Sequence, residues 1–306
     1  MTGGAGFIGS PLVDALLAAG HEVEVVDNLA TGTLKNLEGA MTYGAAINLS
    51  EIDIRDPALA DVFARRRPEI VFHLAAQISV AASVQDPVAD AEINILGTLR
   101  VLEAAHATRA RKLIFATSAA IYGEVAEVDL PINESQPRRP LSPYGISKAV
   151  GLSYLEATSE RYGLAWSALA LANVYGPRQS SEGEAGVVAR FLDHLRRGEP
   201  PTIFGTGEQQ RDFIFVDDAV QAFLLAMSGG DGLVMNIGTG LGTSVNQLWR
   251  DLADAARSDL APSYGPKREG DLQASRLDSS LAETVLGWRG KTSLREGLDQ
   301  IIGPRT

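Results

Sequence analysis

The chain has 306 residues, 45% of them apolar and 21% charged, with no uncharged apolar run of membrane-spanning length, so it reads as one large or two interleaved globular domains. Its net charge of −11 argues against nucleic acid or an anionic membrane as partner, and the absence of cysteine excludes disulfides, thiolate nucleophiles, iron–sulfur clusters and thiolate zinc sites. His21, His73, His106 and His194 are scattered without ligand spacing, so no metal site is expected.

The apolar periodicity predicts a helix over 8–19, closed by Gly20, and then a strand over 21–27. The same step recurs near 57–66 before a strand at 70–74, and near 87–107 before a strand from Lys112. It recurs again from about Tyr144 to Tyr162, closed by Gly163, before a strand from Trp166 to Leu171. Helices alternating with short, wholly apolar strands specify an α/β fold with a doubly wound parallel sheet. Arg65, Arg66 and Arg67 fall at a helix C-terminus, where cations suit the helix dipole. After residue 173 the texture changes to longer loops, such as 176–186 and 261–276, interrupted by short helices. The expected division is a dinucleotide-binding domain over 1–173 and a substrate domain over 174–306, with 211–228 and the segment around Asn236 returning to the sheet. Only Met1 precedes Thr2, where a dinucleotide fold needs a strand feeding the glycine turn, so the natural start is expected several codons upstream. No signal peptide precedes the first motif, and the expected location is the cytoplasm.

Tyr144 and Lys148 stand one helical turn apart in Tyr-Gly-Ile-Ser-Lys, and Ser118 lies upstream in Thr-Ser-Ala-Ala-Ile-Tyr-Gly. A free phenol titrates near ~10, too high for a base at neutral pH. A cation on the same helix face is expected to favour the phenolate by roughly 1–3 pKa units. Ser118 can hydrogen-bond the same substrate hydroxyl. A Tyr and a Lys at this spacing also arise as a plain helix-surface pair. Here the glycine-rich start and the upstream serine give them meaning, and the chemistry they suggest is hydride transfer on a bound nicotinamide.

Gly3, Gly6 and Gly9 follow a G-x-x-G-x-x-G spacing that suits, in turn, a tight turn, close backbone approach to a pyrophosphate, and close helix packing. The helix N-terminus then faces the phosphates. Glycine-rich turns are also ordinary loops, and Asp27 is what strengthens the pattern. It ends the next strand, where a carboxylate can accept hydrogen bonds from both adenosine ribose hydroxyls and repel a 2′-phosphate, so NAD is favoured over NADP. Asp53 and Ile54 follow a further predicted strand and suit adenine, although an Asp before a turn is as often a cap.

Together these residues resemble the extended short-chain dehydrogenase/reductase family and, within it, the UDP-galactose (UDP-glucose) 4-epimerases. The resemblance spans nearly the whole chain. Its landmarks are Thr2 to Gly9, Asp27 to Gly32, Asp53-Ile54, His73-Leu-Ala-Ala76, Asn94, Ser118, Tyr144-x-x-x-Lys148, Asn173-Val-Tyr-Gly-Pro177, Arg211-Asp212 and Arg268-Glu-Gly-Asp271. It implies an NAD site formed by Gly3, Gly6, Phe7, Ile8 and Gly9 on the first loop, and by Asp27, Asn28, Thr31 and Gly32 on the second. Asp53, Ile54, Leu74, Ala75, Ala76, Gln77 and Asn94, with Tyr144 and Lys148, complete it. For the sugar nucleotide it implies Ser118, Tyr144, Asn173, Val187, Val188, Arg211, Arg268 and Asp271, with Thr202, Ile203 and Phe204 near uracil. Two arginines on separate loops suit a pyrophosphate, since each offers a permanently charged fork of donors; their plainer reading is a surface ion pair with Asp212 or Glu269.

The implied reaction has Tyr144, as phenolate, take the proton of the sugar 4-hydroxyl while C4 gives up hydride, leaving a 4-keto sugar that turns over and is reduced on its other face. Dehydratases and decarboxylases of the family usually carry an acid just after the position of Ser118, where this chain has Ala119 and Ala120. UDP-glucuronate 4-epimerases often replace Asn173 by Thr and place a base near Ser180, so this chain lacks their countercharge. A net oxidoreductase exchanging its nicotinamide each turnover, and a non-catalytic NAD sensor, are the readings from other classes. The resemblance also implies a homodimer through the helices near 87–107 and 144–162. Finally, it places Ser275 where a bulky residue excludes N-acetyl groups, so N-acetylhexosamine substrates are expected too.

Overall fold

The computed structural model describes residues 1–181, 186–268 and 270–303. Its first part alternates helix and strand: α1 Gly9–Ala18, β1 Val23–Asp27, the short α2 Glu38–Met41, β2 Ile47–Glu51, α3 Ala58–Arg66 and β3 Ile70–His73. Next come α4 Val80–Gln85, α5 Pro87–Ala91, a π-helical turn over Glu92–Leu96, α6 Gly97–Ala107, β4 Lys112–Ser118, α7 Pro143–Tyr162 and β5 Ala165–Leu171. The remainder contains β6 Asn173–Tyr175, α8 Val187–Arg197, β7 Thr202–Phe204, β8 Gln210–Arg211, β9 Phe213–Phe215, α9 Val216–Leu225 and β10 Leu233–Ile237. It ends with β11 Thr243–Ser244, α10 Val245–Ala256, β12 Ser263–Gly265, β13 Ala274–Ser275, α11 Ser280–Leu286 and α12 Leu294–Ile302.

β3, β4, β5 and β10 pair in parallel in the order β10-β5-β4-β3, and β1 pairs in parallel with β2. Thr2 joins the two pieces, bridging Val26 of β1 on one side and His73 of β3 on the other. Thr2 N donates to Phe72 O at 2.9 Å and Val26 N to Met1 O at 2.8 Å, so the central position between β1 and β3 is held by residues 1–2. The strands are buried on both faces because alternate side chains feed separate cores. Ile114 and Ala116 of β4 join Leu12, Leu16 and Phe223 on one side, and Leu113 and Phe115 join Phe63 and Leu155 on the other. A third core, with Phe191, Phe213, Trp249 and Leu298, lies under the second half.

Three expectations change here. The helix predicted over 87–107 is interrupted by the π turn around Asn94, whose side chain bonds the backbone of Gln77 instead of facing solvent. The loop over 261–276 carries two short strands, β12 on β7 and β13 on β8. Of the returning segment, β10 joins the main sheet beside β5 and α9 packs against α1, whereas β9 pairs with β6. The triple arginine does close a helix: Arg65 and Arg66 fill the last turn of α3, and Arg67 is its left-handed cap. Among the described residues no helix is long and apolar enough to cross a membrane.

Candidate active site

The first glycine loop is tight because its neighbours leave no room for side chains. Gly3 has φ +74°, and a Cβ there would lie 2.6 Å from Ala75 N; one on Gly9 would lie 2.0 Å from Gly3 O. At Gly6 an added Cβ would meet only Gly3 O, at 3.3 Å, so the freedom at Gly6 serves whatever approaches from outside. Ile8 caps α1 with no side-chain hydrogen bond, so no side chain blocks the positive end of the helix, although Ser10 N already bonds Gly6 O at 3.0 Å and Pro11 has no N–H. Asp27, buried at the end of β1, accepts from Ala5 N and Leu29 N at 2.9 Å each, one bond per oxygen. Each oxygen retains a lone pair for a ribose hydroxyl. Gly32 lies against Ala5, whose carbonyl also accepts from Thr33 N and from Asn36 Nδ2; Asn28 and Thr31 are exposed on the same turn.

Asp53 stands across from that turn and accepts from Asn28 Nδ2 at 2.8 Å. It also caps its own turn through Arg55 N and pairs with the Arg55 guanidinium at 2.9 Å, and that bond holds its carboxyl down at about 2. Ile54 is buried against Gly97. After β3, Leu74 N donates to Thr2 O, while Ala75 and Ala76 run half-buried along the glycine loop. Gln77 is clamped by Asn94, which accepts from Gln77 N at 2.8 Å and donates to Gln77 O at 2.9 Å. Asn94 therefore orders the loop through both ends of its amide. Beneath lies His73, between Thr2 Oγ1 at 2.7 Å and Thr98 Oγ1 at 2.9 Å. Thr98 gives its proton to Asn94 O, so His73 donates Nε2–H to Thr98 and accepts at Nδ1. Burial, with Lys148 nearby, pushes His73 down to about 3, which keeps the ring neutral.

Ser118 ends β4; its hydroxyl accepts from Ala120 N and lies close enough to the Tyr144 phenol to favour its ionised form. α7 brings Tyr144 and Lys148 to this edge; it starts at Ser142, which accepts from Gly145 N, with Pro143 as its first residue. Lys148 is 4% exposed, donates to Ala116 O at 3.0 Å and lies over the Phe115 ring. The trio is thus assembled, but its electrostatics differ from the expectation. Burial pushes Tyr144 up to about 12, against the lowering effect of Ser118, and Lys148 is not among the groups that lower it. Burial likewise brings Lys148 down to about 8, with Asp90 opposing. In the protein alone desolvation of the phenolate outweighs the neighbouring ammonium, whose proton is directed at a backbone carbonyl.

A cleft of about 440 Å³ adjoins this edge, since Ser118 pairs with Leu171 and Asn173 at the cleft lies two residues on. Val187, Thr202, Ile203 and Phe204 form its apolar wall, and Arg211, Arg268 and Asp271 its charged side. Arg211 stands on β8 rather than a loop and pairs with Asp271, while Arg268 stacks on Phe204 with 4.0 Å to the ring centroid. Arg211 does not show the plainer pairing with Asp212, which is buried and accepts from Thr239 N, Gly240 N and Leu277 N; the other plainer partner, Glu269, lies outside the described residues. Four residues expected to hold the sugar nucleotide do not line the cleft: Ser118 and Tyr144 stand at the neighbouring edge, and Val188 and Ser275 are placed elsewhere. Val188 points into the third core, and Ser275 is half-buried on β13 beside Arg211.

Sequence reasoning missed Arg190, His194 and Gln209, which also line the cleft. The first two had a signal: Val187, Arg190, Phe191 and His194 follow i, i+3, i+4, i+7 on one face of α8. Gln209, bonded to Phe204 O, had none.

Residues 1–238 match the family described as "NAD dependent epimerase/dehydratase family". A UDP-glucose 4-epimerase from Mycolicibacterium smegmatis is 44% identical over 304 residues, covering 99% of this chain and 96% of that protein. Among solved structures, a UDP-glucose 4-epimerase from Thermotoga maritima with UDP-glucose superposes with a TM-score of 0.95 at 48% identity, over 98% of this chain and 96% of that one. One from Thermus thermophilus in complex with NAD gives 0.91 at 41% identity, with the same coverage. The chain belongs to the NAD-dependent epimerase/dehydratase family.

Proposed function

We propose that this protein is a UDP-glucose 4-epimerase, interconverting UDP-glucose and UDP-galactose through a 4-keto intermediate and also turning over the N-acetylhexosamine forms. The observation that carries the reading is the meeting of Ser118, Tyr144 and Lys148 at the edge of a cleft walled by Phe204, Arg211 and Arg268. The glycine cradle, the uncapped start of α1 and Asp27 fit NAD. When bound, NAD supplies a hydride acceptor and donor and the positive charge of its oxidised nicotinamide.

Tyr144 takes and returns the proton of the sugar 4-hydroxyl, and Ser118 orients that oxygen. Lys148 contributes a positive charge at the same edge. Arg211 and Arg268 hold the diphosphate, Asn173 and Asp271 orient the nucleotide, and Thr202–Phe204 with Val187 accommodate uracil. A substrate held only at its nucleotide leaves the keto sugar free to present its other face, which is what inversion at C4 requires. Arg178, a basic residue near the position that would receive a sugar carboxylate, is committed to Asp14 at 2.7 Å, which disfavours UDP-glucuronate. Residues 1–173 form the NAD-binding domain and 174–306 the nucleotide-sugar domain, with α9 and β10 returning to the first. The protein works in the cytoplasm as a homodimer, through a surface on which Val84, Val88, Leu96 and Ile146 are exposed.

An NMR time course of UDP-galactose with the purified protein and no added NAD tests the reading. Equilibration with UDP-glucose is expected, without net redox. Stoichiometric accumulation of NADH during turnover rejects the reading in favour of a dehydrogenase.

A further inference from the structure

Beside the catalytic helix lies a buried carboxylate to which the reaction described above gives no role. Asp90, in α5, is 1% exposed, and its Oδ1 accepts from Gln77 Nε2 at 2.8 Å and from Asn94 Nδ2 at 3.0 Å. Both donors are neutral amides. A carboxylate buried on neutral donors is costly unless an opposite charge stands nearby. Lys148, also buried, supplies that charge through space: Asp90 favours its protonated form, no ion pair within 4 Å joins the two among the described residues, and the ammonium's own hydrogen bond goes to a carbonyl. The same Asn94 amide that holds Asp90 also donates to Ser147 Oγ at 3.1 Å, and Ser147 lies on α7 next to Lys148.

We propose that Asp90 is a positioning residue for the catalytic helix, its negative charge keeping the Lys148 ammonium charged and its hydrogen bonds fixing Asn94 and, through it, Ser147. This rests on the reading of Tyr144 as base and Lys148 as its cation. Among the described residues, Asp90 from α5 acts on Lys148, Lys148 acts on His73 from β3, and Tyr144 stands one turn away on the same helix. His73 is neutral at working pH and adds no charge.

The sign of the effect is the same for both catalytic groups. Asp90 favours the protonated form of Lys148, and it also favours the protonated form of Tyr144. Removing its charge therefore lets Lys148 lose its proton at lower pH, which moves the alkaline limb of the kcat profile downward. It also lets Tyr144 ionise at lower pH, which moves the acid limb downward. The whole bell is displaced toward acid.

The test is the pH dependence of kcat for UDP-galactose in NAD-retaining wild type, Asp90→Asn, Asp90→Ser and Asp90→Glu, with thermal melts to establish folding. Asp90→Asn keeps an acceptor for Gln77 and Asn94 while removing the charge, and both limbs are expected to move down by roughly one pH unit. Asp90→Glu keeps the charge and is expected to lower kcat with the limbs in place. An unshifted profile in either folded neutral variant overturns the proposal. If both neutral variants are inactive at every pH while Asp90→Glu works, the need for charge is upheld; if all three are inactive, whether folded or not, charge at this position is not what the reaction needs and the proposal falls. Tyr144→Phe measured alongside separates the two levels: if it is inactive, an unshifted Asp90→Asn profile sinks only this proposal, and if it is active, the reading of the site itself is lost.

Discussion

Tyr144 shows how far a residue's chemistry depends on its surroundings. Burial holds its phenol up at about 12, so without additional positive charge it stays protonated at neutral pH, whatever its spacing from Lys148. If it is the base, Tyr144→Phe keeps the ring and removes the proton carrier. kcat is expected to fall by roughly 10²–10⁴-fold while UDP-sugar affinity, measured by calorimetry, changes little. Turnover within tenfold of wild type would assign the base elsewhere. Ser275 tests a different kind of residue effect, because it is small and stands in register with Arg211. Wild type is expected to accept UDP-N-acetylglucosamine as well as UDP-glucose. Ser275→Tyr should cut the N-acetyl activity by about 10–200-fold, the range of a steric mismatch in a pocket, and spare the plain hexose. Equal losses on both would argue that Ser275 supports β13 and gates nothing.

At the scale of elements, the turn before α1 is the most constrained segment, since the backbone itself fills the space where side chains would go. Gly9→Ala would bring a Cβ within 2.0 Å of Gly3 O, so the turn must open. The variant is expected to lose at least about tenfold of its NAD affinity, read as cofactor retained through purification. Gly39→Ala, in α2 with nothing within 4 Å of an added Cβ, is the matched control. It should keep its NAD and gain about 0.5–1 kcal/mol of stability. Much of this scale was legible beforehand. The glycine spacing, the start of α7 near Tyr144 and the end of β1 at Asp27 are local signals, and each element stands within two residues of its expected place. The π turn was not legible, because it follows from Asn94 pairing with the backbone of Gln77, seventeen residues earlier.

Over the whole molecule, apolar side chains left exposed on neighbouring helices are the main unexplained surface. Val84, Val88 and Leu96 lie on the segment from α4 to α6, Ile146 and Tyr154 on α7, and these helices pack together. Such a patch is the kind that a second copy covers in a symmetric dimer. Light scattering of the wild type should give twice the monomer mass. Val88→Asp combined with Leu96→Asp should give the monomer mass, with secondary structure intact by circular dichroism. A monomeric wild type would reject the dimer outright.

Periodicity and motif spacing determined the alternating α/β order, the glycine turn and the shared helical face of Tyr144 and Lys148, because each is encoded within one strand, one turn or one helix. Tertiary structure alone decided the rest. It paired Arg211 with Asp271 and laid Arg268 on Phe204, sent Val188 into a core, and added Arg190, His194 and Gln209 to the cleft. It also set the protonation balance where α7 meets β4, raising Tyr144 and lowering Lys148. The physical reason is common to these cases. Pairing across a cleft and the desolvation of a charge depend on which distant segments are packed around a group, and neither leaves a periodic trace in the residues that flank it.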